Sequence, residues 1–318
     1  MALSEEDTEE PGTGPRRTGV VKIGKHIVSG DRGFRPGDVL RIEQVIDLLG
    51  SSRPLTREIL QVLQHKGLVT LRARTGATVE PVERWNVFDR DVIEWRLDIA
   101  PRFQMRSLTE LREAVEPRAA FLAAQRASAD VCRDLVSLAL EFKSIGEAPE
   151  FEDLTDAGLA CRERYRRVDE QFHRMLLQGS QNEMFSALVD QVTRALDFRI
   201  EKEWAGAPRL YGDASAAGER SFDPVPGSRE RFPRRPEPLA LWLHFGLAYA
   251  VEQGLRYAAE TFARTILAEF HNGYLGNPVL LDALGQALHD LDPGGMREAD
   301  REPFHNAITG VLLHQGKR

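Results

Sequence analysis

The chain has 318 residues, 42% of them apolar, enough for two units that each bury a core of their own. No apolar run approaches the roughly 20 residues of a membrane span, and the first 17 residues are acidic and polar rather than basic and then apolar, so the reading is a cytoplasmic protein with no membrane partner. The formal net charge of −7 argues against nucleic acid, yet Thr18 to Glu80 holds 10 Lys and Arg against 6 Asp and Glu, a local +4 that leaves −11 elsewhere. That basic part is the candidate nucleic-acid surface. Cys132 and Cys161 are too few for a disulfide framework or a cysteine zinc site and read as small buried thiols.

Residues 1–17 have no apolar period and read as a disordered tail. From Val20 the spacing of Val20, Val21, Ile23 and Ile27 predicts a short helix, followed by turns at Ser29-Gly30 and Pro36-Gly37. A second helix fits Ile42 to Leu49, broken by Gly50. A third opens on a Ser51-Ser52 cap with Pro54 in its first turn, carries Leu55, Ile59, Leu60 and Leu63 on one stripe, and stops at Gly67. Two short strands around Arg74-Thr75-Gly76 then suit a hairpin. Three helices and a hairpin within 18–81 make a winged helix-turn-helix, in which the third helix lays its first turn in the DNA major groove. Arg53 and Arg57 share one face of that helix.

Residues 82–102 read as a linker. Beyond it, 103–275 are dominated by helical periodicity, clearest at Leu108 to Ala127, Asp156 to Leu177, Glu183 to Trp204 and Leu239 to Phe270. A stretch at 206–236, rich in Gly, Pro, Arg and Ser, reads as a long mobile loop, and 276–318 as an extension with weaker helical pattern. The fold class is therefore mainly α: an N-terminal winged helix-turn-helix plus a C-terminal all-α antiparallel helical bundle. Within the bundle, Asp169 and His173 are four apart, so both project from one helical face, as two metal ligands on one helix must. A metalloenzyme is one reading of such a pair. However, no His-Glu-(two)-His sequence, no Gly-Lys-Ser/Thr phosphate loop and no Gly-(one)-Ser-(one)-Gly elbow is present, and no motif places a general base, so the chain is read as no enzyme.

The run PGDVLRIEQVIDLLGSSRPLTREILQVLQHKGLVTLRARTGATV resembles the DNA-binding domain of GntR-family regulators: a Pro-Gly turn, a helix, a Leu-Gly turn leading to Ser/Thr-Arg, Arg-Glu four residues on, and a glycine-containing wing. WNVFDRDVIEWRLD resembles the linker of the FadR subfamily, and LTELREAVEPRAAFLAAQRAS the first helix of its ligand-binding (FCD) domain. The Trp-Asn linker and the Arg-Thr-Gly wing look most like repressors of sugar-acid catabolism, galactonate regulators among them. The resemblance implies a homodimer on double-stranded operator DNA, released or held by a small carboxylate effector. It implies DNA contacts from Arg53 and Arg57, helped by Ser52 and Thr56, with Arg72, Arg74 and Gly76 carrying the wing. Glu43 departs from it, standing where the family commonly has an arginine, and Arg41 is the nearest substitute. In the resembled sensing domain an Asp-(three)-His pair and two later histidines hold a divalent metal, here Zn, Ni or Mn. The third ligand falls on His244, but the fourth position is Ile266, which cannot ligate, and His271 lies five residues beyond it. Arg112, with Glu116 one turn later, matches an Arg-Glu pair of the family's first sensing helix. It could clamp an effector carboxylate or form an internal salt bridge to Glu116. Besides the enzyme, a helical adaptor that has lost DNA binding is the remaining alternative.

Overall fold

The computed structural model describes residues 14–72, 76–204, 235–272, 277–292, 294 and 296–315, with side chains described except at 198–204, 269–272, 311 and 314–315. The loop expected at 206–236 falls almost entirely outside the described residues, as do Arg74 and the first 13 residues of the expected tail. The chain divides into two compact units, residues 1–105 and 106–318.

In the first unit α1 spans Pro15–Ser29, so the helix begins five residues ahead of Val20 and takes in the end of the expected tail. Pro15 suits a first turn that needs no N–H, and Gly30, at φ 67°, closes the helix by donating its N–H to Ile27 and His26. Helices α2 (Ile42–Leu49) and α3 (Arg53–His65) follow on either side of the left-handed Gly50. Strands β2 (Val69–Arg72) and β3 (Gly76–Val79) pair antiparallel as the expected hairpin, and a third strand, β1 (Val39–Leu40), pairs with the other edge of β3. A two-residue strand is too short for alternation to reveal; the register Val39 to Thr78 and Leu40 to Ala77 creates it. Gly76 is built into this sheet, since at φ 113° any Cβ would strike the Leu40 carbonyl oxygen.

The stretch read as a linker contains α4 (Arg90–Ile99), capped by Asp89, whose carboxylate accepts from the N–H of Asp91 and Val92. This helix is no tether. Val92 and Trp95 are buried with Ile23, Leu60 and Leu63 in one core, and the Trp95 ring lies where a Cβ on Gly24 of α1 would be. Lys66, at the end of α3, donates to both oxygens of Asp89 at 2.9 Å and reaches Asp91 at 2.7 Å, while Arg17 of α1 grips Asp91 at 2.5 and 2.6 Å.

The second unit is an all-α bundle: α5 (Pro101–Arg126, which begins in the first unit), α6 (Ala129–Gly146), α7 (Asp156–Gly179), a short α8 (Glu183–Ser186), α9 (Val189–Trp204), α10 (Pro238–Glu252) and α11 (Arg256–Asn272). The two long periodic stretches split, 183–204 between α8 and α9 and 239–270 at the left-handed Gly254. Helix α6 lies outside the stretches that the spacing singles out, although Cys132, Leu135, Ala139 and Phe142 give it a buried stripe and Ser128 caps it. The C-terminal extension forms α12 (Pro278–Asp290) and α13 (Glu298–Gln315) and belongs to the same core. Phe304 of α13 packs against Trp242, Phe245 and Phe262, and burying a ring this fully contributes roughly 1.5–3 kcal/mol. Helix α10 is in consequence buried on all sides from Leu241 to Val251, which is why its sequence is apolar all round rather than striped.

Candidate functional site

At the start of α3 the Ser52 hydroxyl accepts from the Leu55 N–H, which fixes the direction in which the helix sets out. Arg53, Arg57, Ser52, Arg41 and Arg72 are all exposed. Arg57 has no side-chain partner among the described residues, whereas Arg53 donates through Nη2 to Oε1 of Glu43, at the start of α2. The Glu43 carboxyl lies below its usual range, first because of a backbone N–H of the helix start and then through Arg53 and Arg41. Two expectations need correcting. Thr56 is fully buried and shares a 2.8 Å hydrogen bond with Ser51, so it faces the core and not a duplex. Gly76 is buried too, its missing side chain answering to Leu40 rather than to a phosphate.

In the second unit, Asp169 and His173 lie on the buried stripe of α7 with Tyr165, Phe172 and Leu176. His244 arrives from α10, 71 residues after His173. Its Nε2 stands 3.4 Å from Nε2 of His173 and 3.5 Å from Oδ1 of Asp169, and the same Oδ1 is 3.7 Å from His173 Nε2. Each Nδ1 faces an acceptor elsewhere. That of His244 is 2.7 Å from the Ala240 carbonyl oxygen; that of His173 is 2.7 Å from Oε2 of Glu116, though off the line of the ring N–H. With the protons on Nδ1, both Nε2 lone pairs and a carboxylate oxygen point at one spot with no donor between them. Such a trio repels itself unless a cation sits at its centre. A tetrahedral ion with bonds of about 2.0–2.1 Å places its ligands about 3.3–3.4 Å apart, close to the observed spacing. Burial lowers His244 to about 4, against the pull of Asp169, so its ring is neutral at pH 7, as a ligand must be. The donor set of two imidazoles and one carboxylate fits Zn, Ni or Mn, with coordination positions left over.

Behind this trio stands a second row. Arg112 is fully buried and donates through Nε to Oε1 of Glu116, whose other oxygen faces His173. Burial would push the Glu116 carboxyl up, but Arg112 and His173 together overcome it and hold it well below the carboxylate range. The salt-bridge alternative is therefore the arrangement found at Arg112, and Glu116 orients a candidate ligand, a role that sequence spacing did not reveal. Ile266 is buried among apolar side chains, and the side chain of His271 lies outside the described residues.

Residues 107–216 match the FCD domain family. The chain is 28% identical over 190 residues to the galactonate operon transcriptional repressor of Escherichia coli K12, covering 59% of this chain and 76% of that one. The second unit thus carries an FCD domain, and the chain resembles GntR-family transcriptional regulators of the FadR subfamily. The Nta operon transcriptional regulator of Aminobacter aminovorans is likewise 28% identical, over 171 residues, 54% of this chain and 67% of its relative. Among solved structures, Streptococcus agalactiae GntR aligns over 79% of this chain and 98% of its own, at 17% identity and a TM-score of 0.39. Among the described residues no helix is long and apolar enough to cross a membrane.

Proposed function

We propose that this chain is a cytoplasmic, homodimeric repressor whose first unit holds operator DNA and whose second unit senses a small carboxylate metabolite through a bound divalent metal. The observation that carries the reading is the meeting of Asp169, His173 and His244, whose carboxylate and ring nitrogens come together, buried, within 4.8 Å of one another. When bound, the metal supplies a Lewis-acidic point with open positions for an effector carboxylate. The chain's own residues keep that point dry and aimed: Phe142 and Phe172 flank His244, and Glu116 and Ala240 fix the two rings. On the DNA side, the exposed Arg57 and Arg53 reach the major groove from the first turn of α3, with Arg41 and Arg72 alongside. Effector binding favours a bundle arrangement that misplaces the two DNA-binding units for their half-sites. No enzyme is proposed: Glu116, the carboxylate that faces His173, is paired with Arg112.

Galactonate is the first effector to test, since it names the operon of the repressor described above. The full chain purified without chelator should carry about one divalent ion, absent from Asp169→Ala. Arg57→Ala should weaken binding to the promoter beside its own gene by several-fold in a gel-shift titration. A metal-free wild-type protein would remove the sensing half of this reading, and an Arg57→Ala titration identical to wild type would remove the DNA half.

A further inference from the structure

Glu43 is an acid at the tip of a surface meant for a polyanion. It is the second residue of α2, and its carboxylate holds Nη2 of Arg53, the first residue of α3. The two side chains are 65% and 53% exposed, so the pair contributes little to folding and its consequence lies in binding. A guanidinium has five N–H groups in a rigid fork. One arm of Arg53 is held by Glu43, and no other partner of Arg53 is found among the described residues. What remains still suffices for two parallel hydrogen bonds to guanine O6 and N7, with the fork now restricted in direction. Phosphate fares differently: wherever it meets Arg53 it also meets the neighbouring carboxylate and is repelled.

We infer that Glu43 is a specificity-determining residue of the operator contact: it positions the Arg53 guanidinium for a guanine edge and, through its charge, penalises the phosphate contacts by which Arg53 would bind any duplex. The inference rests on the proposed role of α3 in DNA binding. It makes Glu43 a device for discrimination rather than affinity, because removing it should strengthen binding to the wrong sequence.

The test uses the full chain and two duplexes, one selected from a random library by the wild-type protein and one a scramble of it, titrated by fluorescence anisotropy at several salt concentrations. Glu43→Gln should bind the scrambled duplex several-fold more tightly and lower the ratio of selected to scrambled affinity by about tenfold, the worth of one base contact. Its dependence of log affinity on log salt should steepen by about 0.9, one added phosphate contact. Asp47→Asn removes the same charge one turn along α2, at an exposed residue that does not hold Arg53; it should shift both duplexes alike and leave the ratio unchanged. Equal behaviour of the two variants would reduce Glu43 to bulk charge and overturn the inference. So would an unchanged Glu43→Gln protein in the presence of a weakened Arg53→Ala. If Arg53→Ala itself binds the selected duplex like wild type, the DNA role of the α3 tip fails, and the inference with it.

Discussion

The chain uses one chemical pair twice, an arginine against a glutamate, in opposite surroundings. Arg53 and Glu43 meet in water at the tip of α3, while Arg112 and Glu116 meet one turn apart on α5 with neither exposed above 2%. At the surface, solvent screens the attraction and the pair adjusts at little cost, so the N–H groups that the carboxylate leaves unused stay open to a base. In the interior both charges have been taken from water, and separating them would leave each without solvent to replace the other. The first arrangement suits recognition of a passing partner. The second suits fixing a ring nitrogen, since Glu116 faces His173 from a position it cannot leave.

The largest effect that would break this comparison is at Glu116. Glu116→Ala takes the carboxylate away from a buried guanidinium and should destabilise the second unit by about 3–5 kcal/mol in urea denaturation. The milder Glu116→Gln sharpens the point: it should keep the fold but weaken metal affinity by about 10–100-fold in competition with a chelator. If Glu116→Ala unfolded at the wild-type urea concentration, the buried pair would be no more binding than the exposed one.

An intermediate case lies in the first unit, where Arg17 and Lys66 converge on the partly buried Asp91. Burial would raise the Asp91 carboxyl, but hydrogen bonds from Arg17 and Lys66 win and hold it at about 2, below the ordinary 3.8. Its stabilisation is then complete above about pH 4 and lost as pH falls towards 2. Discounted for solvent screening, it amounts to about 1 kcal/mol. Asp91→Asn should flatten that acid limb in thermal melts followed across pH 2–5, while a limb as steep as wild type would assign the acid sensitivity elsewhere. The smallest effect belongs to Glu43→Gln, whose melting temperature should match wild type within error; a clear drop would mean that the α2–α3 pair is structural after all.

The sequence made the covalent neighbourhood of each site legible and left its tertiary partners hidden. Helix α2 has the span that its apolar pattern gives, and Asp169 and His173 share a face because four residues make roughly one turn. That Oε2 of Glu116 faces Nδ1 of His173 depends on how α5 lies against α7, which no spacing records. Thr56 departs from expectation for a related reason: its place in the motif suggests a duplex contact, but a hydroxyl facing Ser51 from the inner side of α3 is occupied and buried. Glu43 was visible as an odd residue in a familiar pattern, and only the folded positions of α2 and α3 bring it against Arg53. The apparent linker hid a helix because Trp95, Val92 and Asp89 are indistinguishable in sequence from residues of a tether until Gly24 and Lys66 are placed beside them.

That last feature decides where the molecule could be cut. A fragment ending at Pro81 would keep the exposed arginines Arg41, Arg53, Arg57 and Arg72 and still be defective, for the hollow above Gly24 would stand open to solvent and Lys66 would lose both acidic neighbours. An autonomous module has to run at least to Ile99, so the stretch after the wing travels with the DNA-binding half as ballast and not as rope.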